Sequence, residues 1–316
     1  MNVYLTFDIE IWCDGWTNLD EAFPSSFQRY VYGKSKHGNY ALPKTLEILN
    51  TYGLRGIFFV EPLFAARFGQ QHLQSIVDLI TSAGQEIQLH LHPEWVNEAL
   101  KPLIADNKKK RQFLSNYTRA EQTTLIEYGK KMLEAAGSGV ITAFRAGSYA
   151  LNEDTYRALE KNNIKIDTSL NRCYDVSAPL LIEGHNLDTS FYVGEVMTYP
   201  VTVFRDGFRK DRPAQVGACG FNEMRDALLS AKEAGSQNFV VVSHNFEMLK
   251  PNSNQPDWTI VKRFTSLCAF LAERSEDFHV GSFIPSHTPT TQNYQPYAKI
   301  SSTGLRYAAQ AIRRLI

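Results

Sequence analysis

Short, uninterrupted apolar runs alternate with amphipathic stretches along most of this chain. Val3–Phe7, Arg55–Val60, Glu86–Leu91, Val140–Phe144, Ile164–Ile166, Glu195–Thr198, Phe239–Ser243 and Phe278–Phe283 read as strands. Helical spacing is predicted over Pro43–Tyr52, Leu73–Ser82, Asn222–Ala234 and Trp258–Glu276, with Gly53, Gly84 and Gly235 as stops. Thr118 and Glu121 form a capping box for a helix running to Ala136, and Asn152 can cap another over Glu153–Lys161. The stretch after the first strand, through Lys34–Gly38, reads as a polar, aromatic loop, and the charged run Lys108–Arg111 as a solvated surface. Strand–helix alternation implies parallel pairing with right-handed crossovers. Strands without polar alternation are covered on both faces. Seven or eight such units favour a barrel over an open sheet. One unit over residues 1–290 is expected, followed by a tail, 291–316, in which GLRYAAQAIRRLI reads as an amphipathic helix with Arg306, Arg313 and Arg314. That helix is expected to pack on the domain, with weak contact to a membrane surface or partner as the alternative.

Composition excludes several classes. Lys+Arg and Asp+Glu both number 33, so no basic excess argues for a nucleic-acid partner. No run of about 18 apolar residues exists to span a bilayer. The opening MNVYLTFDIEIW has no basic start and meets Asp8 early, so a cytoplasmic location is expected. Cys13, Cys173, Cys219 and Cys268 are scattered without a CxxC pair, which reads as reduced structural thiols.

The chemistry collects at strand ends. Asp8 and Glu10 follow the first strand. His90, His92 and Glu94 end the third. Arg145, Asp167 and His244 follow three later ones. In a parallel barrel these ends share one face, where such folds keep their active sites. A carboxylate after a strand is usually a cap, and a lone histidine there is usually structural. The set on one face is what favours function. In extended backbone, residues i and i+2 point the same way, so His90 and His92 present two imidazoles to one point, and Glu10 can add a carboxylate. Two histidines and a carboxylate suit a catalytic Zn²⁺; Mn²⁺, Co²⁺ or Fe²⁺ tolerate the same set. Glu94 competes with His92 for the third place; His92 is favoured because imidazole is the commoner ligand. Trp12, Trp16, Trp95 and Tyr149 are candidates for stacking on a sugar, or for packing under loops.

At these residues the chain resembles the polysaccharide deacetylase family, the NodB-homology or carbohydrate esterase family 4 group. TFDIE, GQEIQLHLHPEW, FRAGSY, IDTSL and VVVSHN resemble five family motifs in the family's order, over about residues 3–285. The resemblance implies a distorted (β/α) barrel of about seven parallel strands. It implies Asp8 as general base, Glu10 and His90 as metal ligands, Arg145 paired with the base, and Asp167 orienting His244, the general acid. The chain departs from the family in three places. Ile9 separates the two acids. Glu94 stands where the second histidine usually falls. Ala146 and Gly147 replace the usual prolines, so Ser148 or Tyr149 is left to supply the oxyanion N–H. The implied activity is metal-dependent removal of an N-acetyl or other N-acyl group from an amino sugar. A barrel glycosidase and a non-catalytic carbohydrate-binding relative are the alternatives.

Overall fold

A computed structural model of the chain describes residues 1–105, 109–174, 185, 187–284 and 295–315. The main sheet has nine strands: β1 (Asn2–Ile9), β2 (Gly56–Val60), β3 (Glu86–Leu91), β4 (Ala143–Ala146), β5 (Ile166–Asp167), β6 (Phe191–Val193), β7 (Val196–Thr198), β8 (Asn238–His244) and β9 (His279–Val280). Their order is β8-β1-β2-β3-β4-β5-β7-β6, with β9 also pairing β1. From β8 to β7 every neighbour is parallel, and within this sheet, among the described residues, β6 and β7 form the antiparallel pair. The outer edge of β8 is covered by irregular backbone. Val242 N–H donates to Ala214 O at 2.9 Å, Val216 N–H to Val242 O at 3.1 Å and Thr202 N–H to Val240 O at 3.2 Å. The expected distorted (β/α) barrel is thus present as a curled, mostly parallel sheet with helices around it.

Among the described residues, the α-helices longer than one turn are α1 (Leu19–Phe27), α2 (Leu42–Thr51), α3 (Gln70–Ser82), α4 (Arg119–Ala135), α5 (Glu153–Lys161), α6 (Phe221–Glu233), α7 (Trp258–Glu273) and α8 (Ile300–Leu315). Thr118 and Asn152 cap α4 and α5 as their sequences predict. Helix α1 corrects the reading of that stretch as loop: Pro24 sits inside it, and Leu19, Phe23 and Phe27 bury one face. The strand predicted over Val140–Phe144 starts later, because Gly139 turns at φ +80° and Val140 is exposed. Of the run read as a solvated surface, Lys108 lies outside the described residues. Lys110 sits over the Trp16 ring and Arg111 pairs with Glu121.

Period-two alternation sorts each strand. Val3, Leu5, Phe7 and Ile9 of β1 join the core between sheet and helices. Tyr4 faces the barrel interior with Ile57, Phe59, Val240 and Val242. The same inner rows continue upward into Thr6, Asp8, His90, Arg145 and His244. The lower barrel is therefore mainly apolar packing, and its upper rim is polar.

Candidate active site

Strand register sets the frame. Asp8 pairs with His244 across β1 and β8, and His90 with Arg145 across β3 and β4. Just past β1, the Asn245 amide pins Glu10: it accepts from Glu10 N–H at 3.1 Å and donates to Glu10 O at 3.0 Å. Trp12 Nε1 donates to Glu10 Oε2 at 2.7 Å. The other oxygen, Oε1, lies 3.0 Å from His90 Nε2 and 2.9 Å from His92 Nε2. Ligand atoms of Glu10, His90 and His92 all fall within 4.8 Å of one another.

Proton placement tests whether this trio fits a cation. His90 Nδ1 lies 2.8 Å from the carbonyl oxygen of Arg145, which only accepts, so Nδ1 carries a hydrogen. A neutral His90 then aims its Nε2 lone pair at the Glu10 oxygen. Two lone-pair atoms 3.0 Å apart repel unless a positive charge, proton or metal, lies with them. The trio fits a divalent ion. Glu94 does not join it: its Oε2 faces His92 Nδ1 at 3.3 Å, on the far side of the ring. That is where a carboxylate orients a metal-binding histidine rather than the metal. Burial pushes the Glu10 carboxyl up, but with protons rather than a metal between the groups, the charge of His92 and hydrogen bonds from the two imidazoles hold it well below the usual range. Burial opposes charge on His92, yet Glu10 and Glu94 raise it well above an ordinary imidazole. Glu61, at the end of β2, is a further buried carboxyl near this trio, and burial pushes it up to about 8.

Beside the trio lies a buried ion pair. Arg145 Nη1 donates to Asp8 Oδ1 at 2.7 Å, while Nη2 donates to Thr6 Oγ1 at 2.8 Å. Nε donates to Thr168 O at 3.1 Å, and the guanidinium lies over the Phe59 ring, 4.6 Å from its centroid. The free oxygen of Asp8, Oδ2, faces His244 Nε2 at 4.0 Å.

Asp167 does not orient His244. It accepts from Ser169 Oγ at 2.5 Å, Ser169 N–H at 3.1 Å and the Tyr156 hydroxyl at 3.2 Å. Burial pushes it up to about 6 against those bonds. Ser169 Oγ in turn accepts from Ala146 N–H at 2.8 Å, so Asp167 braces the turn after β4. The carboxylate on His244 is Glu247, three residues on, with Oε1 3.1 Å from Nδ1. Gln215, Gly217 N–H and Ser243 also donate to Glu247. Burial lowers His244, but Glu247, Glu10 and Asp8 outweigh it and raise the imidazole to about 9.

Asp8, Glu10, His90, His92 and His244 open into a cavity of about 460 Å³, within the range of small-ligand sites, lined also by Trp12, Phe113, Ser148, Tyr149 and Tyr174. Trp12 stands edge-on to His92, Trp16 packs between Trp12 and Trp95, and Trp95 is buried. Ser148 and Tyr149 both hold φ near +55°, at 54° and 56°, a left-handed turn that non-glycine residues rarely adopt. Gly147 touches His92 so closely that a Cβ there would lie 2.8 Å from the ring and 2.6 Å from Leu91 O. Gly147, Asn245 and Glu247 were not among the sequence candidates, and Trp12 was one only for stacking on a sugar or packing under loops, not as a hydrogen-bond donor to Glu10. Only Glu247 carried a signal, as a carboxylate one helical turn past His244.

The sequence matches no protein-family model and no curated protein. The fold is shared with solved structures. One is a protein from Mycobacterium smegmatis assigned as a polysaccharide deacetylase, 18% identical, with 91% of this chain and 94% of that one covered and a TM-score of 0.51. The 4-alpha-glucanotransferase of Thermococcus litoralis is 13% identical, with 96% of this chain and 42% of that one covered and a TM-score of 0.53. The family 4 carbohydrate esterase of Streptomyces lividans, in complex with acetate, is 12% identical, with 93% and 97% covered, but its TM-score of 0.44 is too low to count as a shared fold.

Proposed function

We propose that this chain is a metal-dependent hydrolase that removes an N-acetyl or other N-acyl group from an amino sugar in a polysaccharide or its precursor. One observation carries the reading: two imidazoles converge on one oxygen of Glu10 beside an Asp8–Arg145 pair and a His244–Glu247 pair. A base, an acid and a cation site around one cavity are the parts that amide hydrolysis needs.

Glu10, His90 and His92 would hold the ion, Zn²⁺ by choice of donors, with Mn²⁺, Co²⁺ or Fe²⁺ also suited. Such an ion polarises a carbonyl and acidifies water. Asp8 takes the proton of the attacking water with Oδ2, while Arg145 holds Oδ1 and balances the charge. His244, protonated below about pH 9, donates from Nε2 to the departing nitrogen, and Glu247 keeps Nδ1 occupied so that Nε2 faces the cavity. The left-handed Ser148–Tyr149 turn is our candidate for the oxyanion N–H. Trp12 and Tyr149 offer rings to a sugar at the cavity wall.

The test is a screen of N-acylated saccharides and sugar nucleotides, following released acetate or formate with metal-loaded and chelated protein. Metal-dependent release supports the reading. Saccharide binding with no turnover in any metal form favours a non-catalytic carbohydrate-binding protein. The glucanotransferase likeness raises a glycosidase as the second reading. It needs two carboxyl groups ~5 Å apart, one of them protonated. Asp8 and Glu10 are near enough, but Asp8 accepts from Arg145 and Glu10 is held ionised by two imidazoles. New reducing ends instead of acylate in the screen would reverse that preference.

A further inference from the structure

Helix α8 is amphipathic in the inverted sense. Its polar side is the buried one. Arg306, 2% exposed, donates to Glu223 at 2.7 Å and Asp206 at 3.1 Å; Thr303 donates to Glu223 at 2.8 Å and Ser302 to Asp226 at 2.6 Å. Farther along, Arg313 pairs with Asp257, the N-cap of α7. Four buried or nearly buried acids from the barrel therefore hold the helix by its hydrophilic stripe. Its apolar stripe is left outside: Ile300 is 68% exposed and Leu305 58%. Tyr307, also exposed, packs its ring 5.6 Å from that of exposed Phe208. A helix docked through ions, with its leucine and tyrosine toward water, wastes its hydrophobic face unless something covers it.

The charge around that face selects the cover. From residue 278 to 316 the chain contains no Asp or Glu, and of its basic residues there Arg306 and Arg313 are paired inward, which leaves Lys299 exposed on the outer side. Arg209, Lys210 and Lys299 are exposed beside the apolar stripe, and none has an acidic partner within 4.0 Å among the described residues. Asp211, the nearby exposed acid, is taken up by Arg172 and Arg205. Apolar and aromatic side chains rimmed by unpaired cations match the headgroup boundary of an anionic lipid leaflet. A second copy of the same face would oppose cation to cation.

We propose that the outer face of α8, with Phe208 and the Arg209–Lys210 and Lys299 rim, is a docking surface for an anionic membrane. The contact of Arg313 with Asp257 places the end of this helix beside the loop that follows His244, so a docked protein holds its catalytic rim near the headgroups. The inference does not rest on the hydrolase reading.

Full-length protein is sedimented with vesicles of phosphatidylcholine alone or mixed with phosphatidylglycerol. Co-sedimentation is expected with the anionic vesicles only, weakening as salt rises. The exposed changes Leu305→Glu and Tyr307→Glu together should abolish it, and Lys299→Ala should weaken it about fivefold. Val140→Glu, an exposed change distant in sequence, should leave it intact. Equal sedimentation of the Leu305→Glu/Tyr307→Glu protein, or none with either vesicle, overturns the proposal. A dimer in sedimentation velocity that Leu305→Glu splits would overturn it in favour of a second copy. Turnover of a soluble saccharide by the vesicle-deficient protein reports separately on the hydrolase.

Discussion

Glu247 Oε1 lies 3.1 Å from Nδ1 of His244, and the Nε2 of the same ring faces Asp8 Oδ2 at 4.0 Å. The ring therefore stands between two carboxylates, one that orients it and one across the reaction space. Its charged form is favoured up to about pH 9. Because the donating form is the protonated one, turnover should hold below that value and fall as pH rises through it. Glu247→Gln should lower kcat by roughly 10²-fold with little change in KM, and move the alkaline limb down toward the ordinary imidazole value of ~6.5. Glu247→Asp should recover part of both. Asp167→Asn should leave the limb in place. A limb that follows Asp167 and ignores Glu247 would reverse the assignment.

The cation site predicts a graded series. His90→Ala should remove bound zinc and turnover together. Glu94→Gln should keep the ion but weaken its affinity by about 10–100-fold, as for a carboxylate behind a ligating histidine. Titration calorimetry with zinc reads both. Loss from Glu94→Gln as complete as from His92→Ala would make Glu94 a ligand.

Asp8→Asn should spare zinc binding and reduce kcat by about 10²–10⁴-fold. It should also destabilise the fold, because among the described residues Asp8 is the carboxylate within 4.0 Å of the buried Arg145 guanidinium. Breaking one side of such a pair costs about 3–5 kcal/mol. Urea unfolding measures it, and Asp8→Asn/Arg145→Met should be more stable than Asp8→Asn alone.

Gly147→Ala adds a methyl group 2.8 Å from the His92 ring. The same Cβ would lie 2.6 Å from the backbone oxygen of Leu91, so the strand end and the imidazole must both shift; zinc affinity should fall, with a loss of stability in urea, while helix content by circular dichroism stays unchanged. Unaltered zinc affinity would mean that His92 does not bind the ion.

Much of this protein was legible in one dimension. Apolar runs such as Phe239–Ser243 and the caps at Thr118 and Asn152 are local facts, decided by side-chain period and by hydrogen bonds three residues apart. So is the strand-end placement of Asp8, His90, Arg145 and His244, because a parallel strand delivers its last inward residue to the same rim as its neighbours. Helix α1 escaped, since its Pro24 and exposed polar residues hide the buried Phe23 and Phe27.

What the tertiary structure alone decided is which charge meets which. Asp167 and Glu247 are both carboxylates near strand ends; the place of Glu247 three residues past His244 makes it available, but only the fold turns Asp167 away from Nδ1 of His244. That depends on β5 ending beside Tyr156 and Ser169, while the chain after β8 folds back over its own histidine. The same holds for α8: its sequence shows two stripes, but only the acids waiting at Glu223, Asp206 and Asp226 determine that the polar one turns inward. Secondary structure follows from short-range propensity and burial, whereas ion pairing follows from distances that only the folded chain creates.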